Sequence, residues 1–319
     1  MEQKYSRKPK EKKGDRQQLY VYAFLALFGL GFIFLLFFAL LGIVAGSGGS
    51  SLFGKCVAVV PIEGAIMAED IPASMFTEGM AGSYTIAKKI RTLNGRDDVA
   101  AVLFVINSPG GSVVATNEIY REVNALEKPK VAYFREMAAS GGYYVATPAE
   151  LIISEPNALT GSIGVIATFV EMQELLSNLG IHEVAITSGD MKDMGSPFRN
   201  MTPEEEQLMQ EMIAEVFNEF RGVILEHRRD KLNMALFEEA LDARILSGRM
   251  ALQIGLVDRL GSRDDALLAA ADLGGIQYET IDDIPVCVVD TSVQSAGLFD
   301  VQSVFGLPKE EAGVSLQYR

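Results

Sequence analysis

Histidine is nearly missing from this chain: His182 and His227 are the only two among 319 residues. His182 opens the apolar run 181–186, and His227 lies in the charged stretch Glu226-His227-Arg228-Arg229-Asp230. Neither sits in a glycine-rich loop of the kind that brings backbone close to a substrate. Both therefore read as structural or solvated, and a general base, if the chemistry needs one, must come from another residue type. Cysteine is as scarce. Cys56 and Cys287 are the only two, far apart in the sequence, so they build no disulfide framework and no cysteine-histidine cluster with metal-site spacing. No metal or other cofactor is expected. Whether the two cysteines pair stays open, because sequence does not say how closely their Cα atoms approach. No repeat of twenty to fifty residues is present, which excludes a solenoid.

Charge is missing altogether from Leu19 through Ser51. Within that stretch, residues 20–44 are mostly apolar, long enough for a helix to cross a hydrocarbon layer of about 30 Å at about 1.5 Å per residue. A cleavable signal peptide fits less well, since its apolar region is only about 7–15 residues long. A lipoprotein reading of Cys56 fails on Lys55, where such processing wants a small residue. Lys4, Arg7, Lys8, Lys10, Lys12, Lys13 and Arg16 precede the apolar run against only Glu2, Glu11 and Asp15, so the N-terminus is expected in the cytoplasm and the rest outside. The expected organisation is a basic tail over 1–19, a transmembrane anchor over 20–45, a Gly/Ser linker over 46–54, an extracytoplasmic domain over 55–290 and a C-terminal tail over 291–319. The bilayer is thus one expected partner. With a net charge of −14 despite its basic tail, the chain is a poor partner for nucleic acid.

Beyond the linker, short apolar runs rich in β-branched residues alternate with helical stretches. Strands are expected at 57–62, 99–106, 130–134, 151–154 and 184–187, with a further extended run at 162–169 and a possible strand at 281–289. Helices are expected at 83–93, 112–126, 141–147, 171–178, 235–241, 249–254 and 264–273. Thr202-Pro203-Glu204-Glu205 supplies an N-cap, a proline at the first helical position and a glutamate at the third, and starts a long helix. The alternation predicts an α/β fold built on parallel units.

Three small-residue loops carry the chemistry: Asn107-Ser108-Pro109-Gly110-Gly111-Ser112, Ala138-Ala139-Ser140-Gly141-Gly142-Tyr143-Tyr144 and Thr160-Gly161-Ser162-Ile163-Gly164. Glycines there let backbone N–H groups approach a ligand, and a helix starting nearby adds the positive end of its dipole. Ser140 is the candidate nucleophile. Its hydroxyl needs a base, and Lys192 in Ser188-Gly189-Asp190-Met191-Lys192-Asp193-Met194-Gly195 is the candidate. A lysine serves only when neutral, so Asp190 and Asp193 are expected to point away from it. Ser162 is the candidate hydroxyl that orients the amine, and Gly110 and Gly111 suit an oxyanion site. A loop of this kind also fits phosphate or acyl-group binding without covalent chemistry.

These motifs, in this order, resemble the signal peptide peptidase A serine proteases, whose fold is shared with the Clp protease and crotonase superfamily. The resemblance covers roughly residues 57–257 and includes the 188–199 loop ending Gly195-Ser196-Pro197-Phe198-Arg199. It implies a fold of repeated ββα units behind one transmembrane helix, with Ser140 as nucleophile, Lys192 as general base, Ser162 orienting the lysine and Gly110 with Gly111 as the oxyanion site. It further implies a ring-like homo-oligomer with active sites shared between subunits, and apolar peptide substrates such as signal peptide remnants. Two other classes compete: a crotonase-like acyl-thioester enzyme and a membrane-tethered scaffold without chemistry. Aliphatic or small substrate side chains are expected beside the nucleophile.

Overall fold

Strands form where apolar residues run unbroken, because the strands of a parallel sheet are covered on both faces. The computed structural model describes residues 54–72 and 79–291, together with Gly29, Gly31 and Phe34. In chain order its elements are β1 (Cys56–Glu63), α1 (Ser83–Thr92), β2 (Val99–Ser108), α2 (Val113–Ala125), β3 (Lys130–Ala139), α3 (Gly141–Ala146), β4 (Leu151–Ser154), β5 (Leu159–Gly161), α4 (Gln173–Asn178), α5 (Pro203–Arg228), α6 (Met234–Glu239), β6 (Ile245–Ser247), α7 (Gly248–Ile254), β7 (Arg259–Leu260), α8 (Arg263–Gly274) and β8 (Val286–Val288).

The sheet runs β6-β5-β3-β2-β1-β8, with β4 pairing β3 and β7. Every pair is parallel except β5 with β6. Successive strand residues feed opposite cores, as the two-residue period of a strand requires. Ala58, Val60, Ile62, Phe104 and Ile106 face a core shared with α1, α2, α3 and α5, while Val57, Val59, Leu103 and Val105 face the alanine-rich side of α8. The mixed α/β sheet agrees with the fold class read from sequence.

β3 forks the sheet, and that fork positions the site. Its residues 131–134 pair with β4, whereas residues 137–139 pair with β5. Arg135 and Glu136 fall between the two partners and stay exposed. The strand expected at 130–134 therefore continues to Ala139 and delivers the next residue, Ser140, beside β5.

At the other edge, β8 lies against β1 with Cys287 opposite Ala58, and Cys56 and Cys287 form a disulfide with Cα atoms 5.9 Å apart. Sequence left this pairing open. In the chain-entropy view, closing so long a loop is worth on the order of 5 kcal/mol.

Several expectations need correction or fall outside the described residues. No strand forms at 184–187, and the run at 162–169 makes no ladder; β5 precedes it. A strand needs a hydrogen-bonding neighbour, and among the described residues these segments pair with no strand. Of the stretch 281–289, only residues 286–288 are strand. Among the described residues no helix is long and apolar enough to cross a membrane. The expected anchor over 20–45 lies outside them, apart from the helical Gly29, Gly31 and Phe34. The basic tail 1–19, nearly all of the linker 46–54 and the tail beyond Thr291 lie outside them as well.

Candidate active site

Ser140 stands at the junction where β3 stops and α3 starts, with φ 52° and ψ −121°. That conformation is costly for a residue with a side chain, and it survives only where the surroundings enforce it. Here they do. The Ser140 N–H donates to the Gly161 carbonyl at 2.9 Å, and the Ser140 carbonyl accepts from Tyr144 N–H at 3.0 Å. Behind it the loop at 107–112 comes so close that glycine is obligatory. A Cβ at Gly110, whose φ is +92°, would lie 2.6 Å from the Gly141 nitrogen; one at Gly141 would lie 2.5 Å from Thr116 Oγ1. The loop is itself pinned to Ile66, whose N–H donates to the Gly110 carbonyl and whose carbonyl accepts from Ser112 N–H, each at 2.9 Å.

The two glycines expected to offer N–H groups differ. Gly110 N–H donates to Ser108 Oγ at 3.1 Å and is thereby occupied. Gly111 N–H has no protein acceptor among the described residues, and neither does Gly141 N–H at the start of α3. Sequence reading missed Gly141 as a donor and Ser108 as the group holding Gly110. The only sequence signal for either was the clustering of small residues. Donors fixed in place before a negative charge develops are what an oxyanion needs.

Ser162 follows Gly161, the residue that receives the Ser140 N–H, and also takes a positive φ, 49°. Its N–H donates to the Arg244 carbonyl at 2.9 Å, so β5, β6 and the Ser140 turn are tied in one place. Ser140, Gly110, Gly111 and the Ser162 backbone are thus brought together. Lys192 is not. A cleft of about 110 Å³ opens at Ser140, between α2, α3, α5 and the chain after β5, and Lys192 is absent from its lining. The lysine is exposed, on a turn where its N–H donates to the Gly189 carbonyl.

The turn carrying Lys192 is nonetheless firmly clamped. Arg199 Nε and Nη2 donate to the two carboxylate oxygens of Asp193 at 2.9 and 2.8 Å. The same guanidinium bonds the buried carboxylate of Glu205, which also accepts the Thr202 N–H and completes the cap of α5. Arg199 holds both carboxyls low: Asp193 below the usual carboxylate range, and Glu205 down to about 2, with the Thr202 backbone contributing to the latter. Asp193 is therefore committed to Arg199, which agrees with the expectation that it does not face Lys192. The sequence announced the cap but not that its glutamate also anchors Arg199.

Neither histidine enters the cleft. His227 is half-buried, its Nε2 3.0 Å from Tyr120 Oη, and burial lowers its pKa. His182 is exposed. Among the described residues the one cluster with metal-ligand atoms is Cys56, Asp98 and Cys287, whose cysteines are joined in the disulfide.

Comparison with known proteins agrees with this geometry. The profile of Peptidase family S49 matches residues 122–277, which include Ser140, Ser162 and Lys192. That of the Clp protease family matches residues 75–158, which include Gly110, Gly111 and Ser140. A Synechocystis sp. protein named as a protease is 37% identical over 205 residues, covering 62% of this chain and 73% of that one. The chain belongs to peptidase family S49. A Methanocaldococcus jannaschii protein, also named as a protease, is 41% identical over 187 residues, 58% of this chain and 60% of that one. Protease 4 of Salmonella typhi is 34% identical over 233 residues, which are 72% of this chain but 36% of the relative. The aligned stretches span between about a third and three quarters of these relatives' own length.

Proposed function

We propose that this S49 chain is a membrane-anchored serine endopeptidase in which Ser140 attacks the peptide carbonyl and Lys192 takes its proton. The observation that carries the reading is the Ser140 turn: a hydroxyl held at a costly backbone conformation beside two unengaged N–H groups, Gly111 and Gly141. In the proposed reaction the neutral amine of Lys192 accepts the Ser140 Oγ proton as Oγ bonds to the carbonyl carbon. The two N–H groups hold the resulting oxyanion. Collapse expels the amine half of the substrate, which takes the proton back from Lys192 and leaves an ester on Ser140. Water, deprotonated by the same lysine, then hydrolyses that ester. Ser162, one residue from the carbonyl that anchors Ser140, is the proposed partner that aims the amine.

Because Lys192 lies outside the Ser140 cleft of its own chain, the base is proposed to come from a second copy in a ring-like homo-oligomer. The segment at 164–200 supports this. Its only helix is α4, and Ile166, Val184 and Ile186 are 85%, 82% and 96% exposed, a pattern that calls for burial against another molecule. The burial such a contact supplies would also lower the lysine pKa by penalising the ammonium. The basic tail, the uncharged run at 19–51 and the disulfide, a bond kept in oxidising compartments, support a cytoplasmic N-terminus and an extracytoplasmic domain. Substrates are then cleaved signal peptides and other apolar peptides at the outer membrane face.

The test uses the full chain in detergent with a fluorophosphonate probe and a fluorogenic apolar peptide. Wild type is expected to be labelled at Ser140 and to cleave faster as pH rises from about 6 to 10; Ser140→Ala is expected to lose both labelling and at least about 10³-fold in cleavage. Cleavage retained by Ser140→Ala would overturn the reading.

A further inference from the structure

The cleft beside Ser140 is not wholly aliphatic. Its walls include Val113, Val165, Ile166 and Phe220, but Glu219 of α5 and Asn117 of α2 also line it. The Glu219 carboxylate is organised on one side only. Asn117 Nδ2 donates to its Oε1 at 3.1 Å, and Tyr144 Oη lies 3.4 Å from the same oxygen. Tyr144 Oη in turn donates to Asn117 Oδ1 at 2.9 Å, which fixes the orientation of the amide. Burial, and then the nearby Glu219 charge, raise the Tyr144 pKa, so its hydroxyl stays a donor. Among the described residues no lysine or arginine pairs with Glu219, and its Oε2 has no hydrogen-bond partner. Glu219 is a solvent-exposed carboxylate without a counter-charge that lines, with Val113 and Phe220, the cleft opening at Ser140, and so complements a side chain with an aliphatic stem and a cationic head.

We propose that this cleft takes a lysine or arginine side chain of the substrate, at the position immediately N-terminal to the bond that is cut, with Glu219 as the specificity-determining residue. The position follows from the reaction: the carbonyl that Ser140 attacks belongs to that residue, so its side chain enters the cleft that opens at Ser140. The inference rests on the reading of Ser140 as the attacking group.

The experiment compares two fluorogenic peptides, identical except for lysine or norleucine at that position, so that stem length is kept and only the charge differs. Wild type is expected to favour lysine about tenfold in kcat/KM, with the preference shrinking as salt rises. The ratio is expected to fall to about one in Glu219→Gln and below one in Glu219→Lys. A wild-type ratio of one or less overturns the inference without any variant, and so does a wild-type preference that Glu219→Gln leaves intact. Failure of the underlying reading looks different: neither peptide is cut and Ser140 takes no label.

Discussion

The Ser140 turn and the Lys192 segment are built on opposite principles. Around Ser140 the backbone groups that are not aimed at a ligand are spent on fixing the turn: Gly161 receives its N–H, Ile66 straps the loop at 107–112, and Gly110 and Gly141 pack too closely for any side chain. The segment at 164–200 has almost no sheet or core to lean on, and its large apolar residues face outward. Yet its tip is not loose, because Arg199 joins Asp193 to the Glu205 cap of α5. On the proposed reading, the difference teaches that one chain holds a preorganised nucleophile half and a base half that is shaped but awaits a second copy.

That contrast can be broken from either side. The largest expected effect is on the body. Arg228 is fully buried and donates to both oxygens of Asp258, which also accepts the Ile152 N–H and pairs with Lys231. Burial alone would raise the Asp258 pKa, but the hydrogen bonds from Arg228, Lys231 and the Ile152 N–H, together with the Arg228 charge, outweigh it jointly and the net shift is downward. Asp258→Asn leaves the guanidinium without its counter-charge, and denaturant unfolding should show a loss of about 3–5 kcal/mol. At temperatures where this variant is still folded, limited proteolysis within 164–200 should match wild type. Coupled loss of both would show that the two regions are one unit.

A smaller effect is expected on the other side. Arg199→Ala frees Asp193 next to Lys192 and opens the anchor at Glu205. Peptide cleavage should fall about tenfold, and its rising limb should move to higher pH, because a free carboxylate favours the charged lysine. Unfolding of the body should barely change. An unaltered pH profile would mean that the clamp has no bearing on the base.

The smallest effect is the acid response of that clamp. Glu205 and Asp193 have depressed pKa values, so their contribution is complete above the ordinary carboxylate value of about 4 and is lost as pH falls toward about 2, where Glu205 titrates. Hydrogen exchange should show amides at 193–206 losing protection between roughly pH 4 and pH 2. Protection that disappears above pH 5 would contradict this assignment.

The strands that proved legible in the sequence are those covered on both faces, such as β1 and β2, where apolar residues follow one another without interruption. β3 was read short because Arg135 and Glu136 interrupt its pattern where the sheet forks, and β5, β6 and β7 are too brief for any periodicity. The run at 184–187 has strand composition but no neighbour, so composition alone misled. In the site, Ser140 and the glycine loops were visible because only small residues fit there. Gly141 offers its backbone N–H through geometry that no residue type announces, and Ser108 accepts through its Oγ, a role that a serine among small residues does not single out. Glu219 carries no signal in the sequence: as one carboxylate on a long helix, it is set apart only by lining the cleft together with Val216 and Phe220.

The central claim is that a working site joins Ser140 of one copy to Lys192 of another, and mixing two inactive variants tests it most directly. Full-length Ser140→Ala and Lys192→Ala, each checked for assembly, are dissociated, combined and reassembled before assay with an apolar peptide. Recovered cleavage, with probe labelling confined to the Lys192→Ala copies, is the predicted result. Mixed assemblies of normal size that stay inactive would contradict the account.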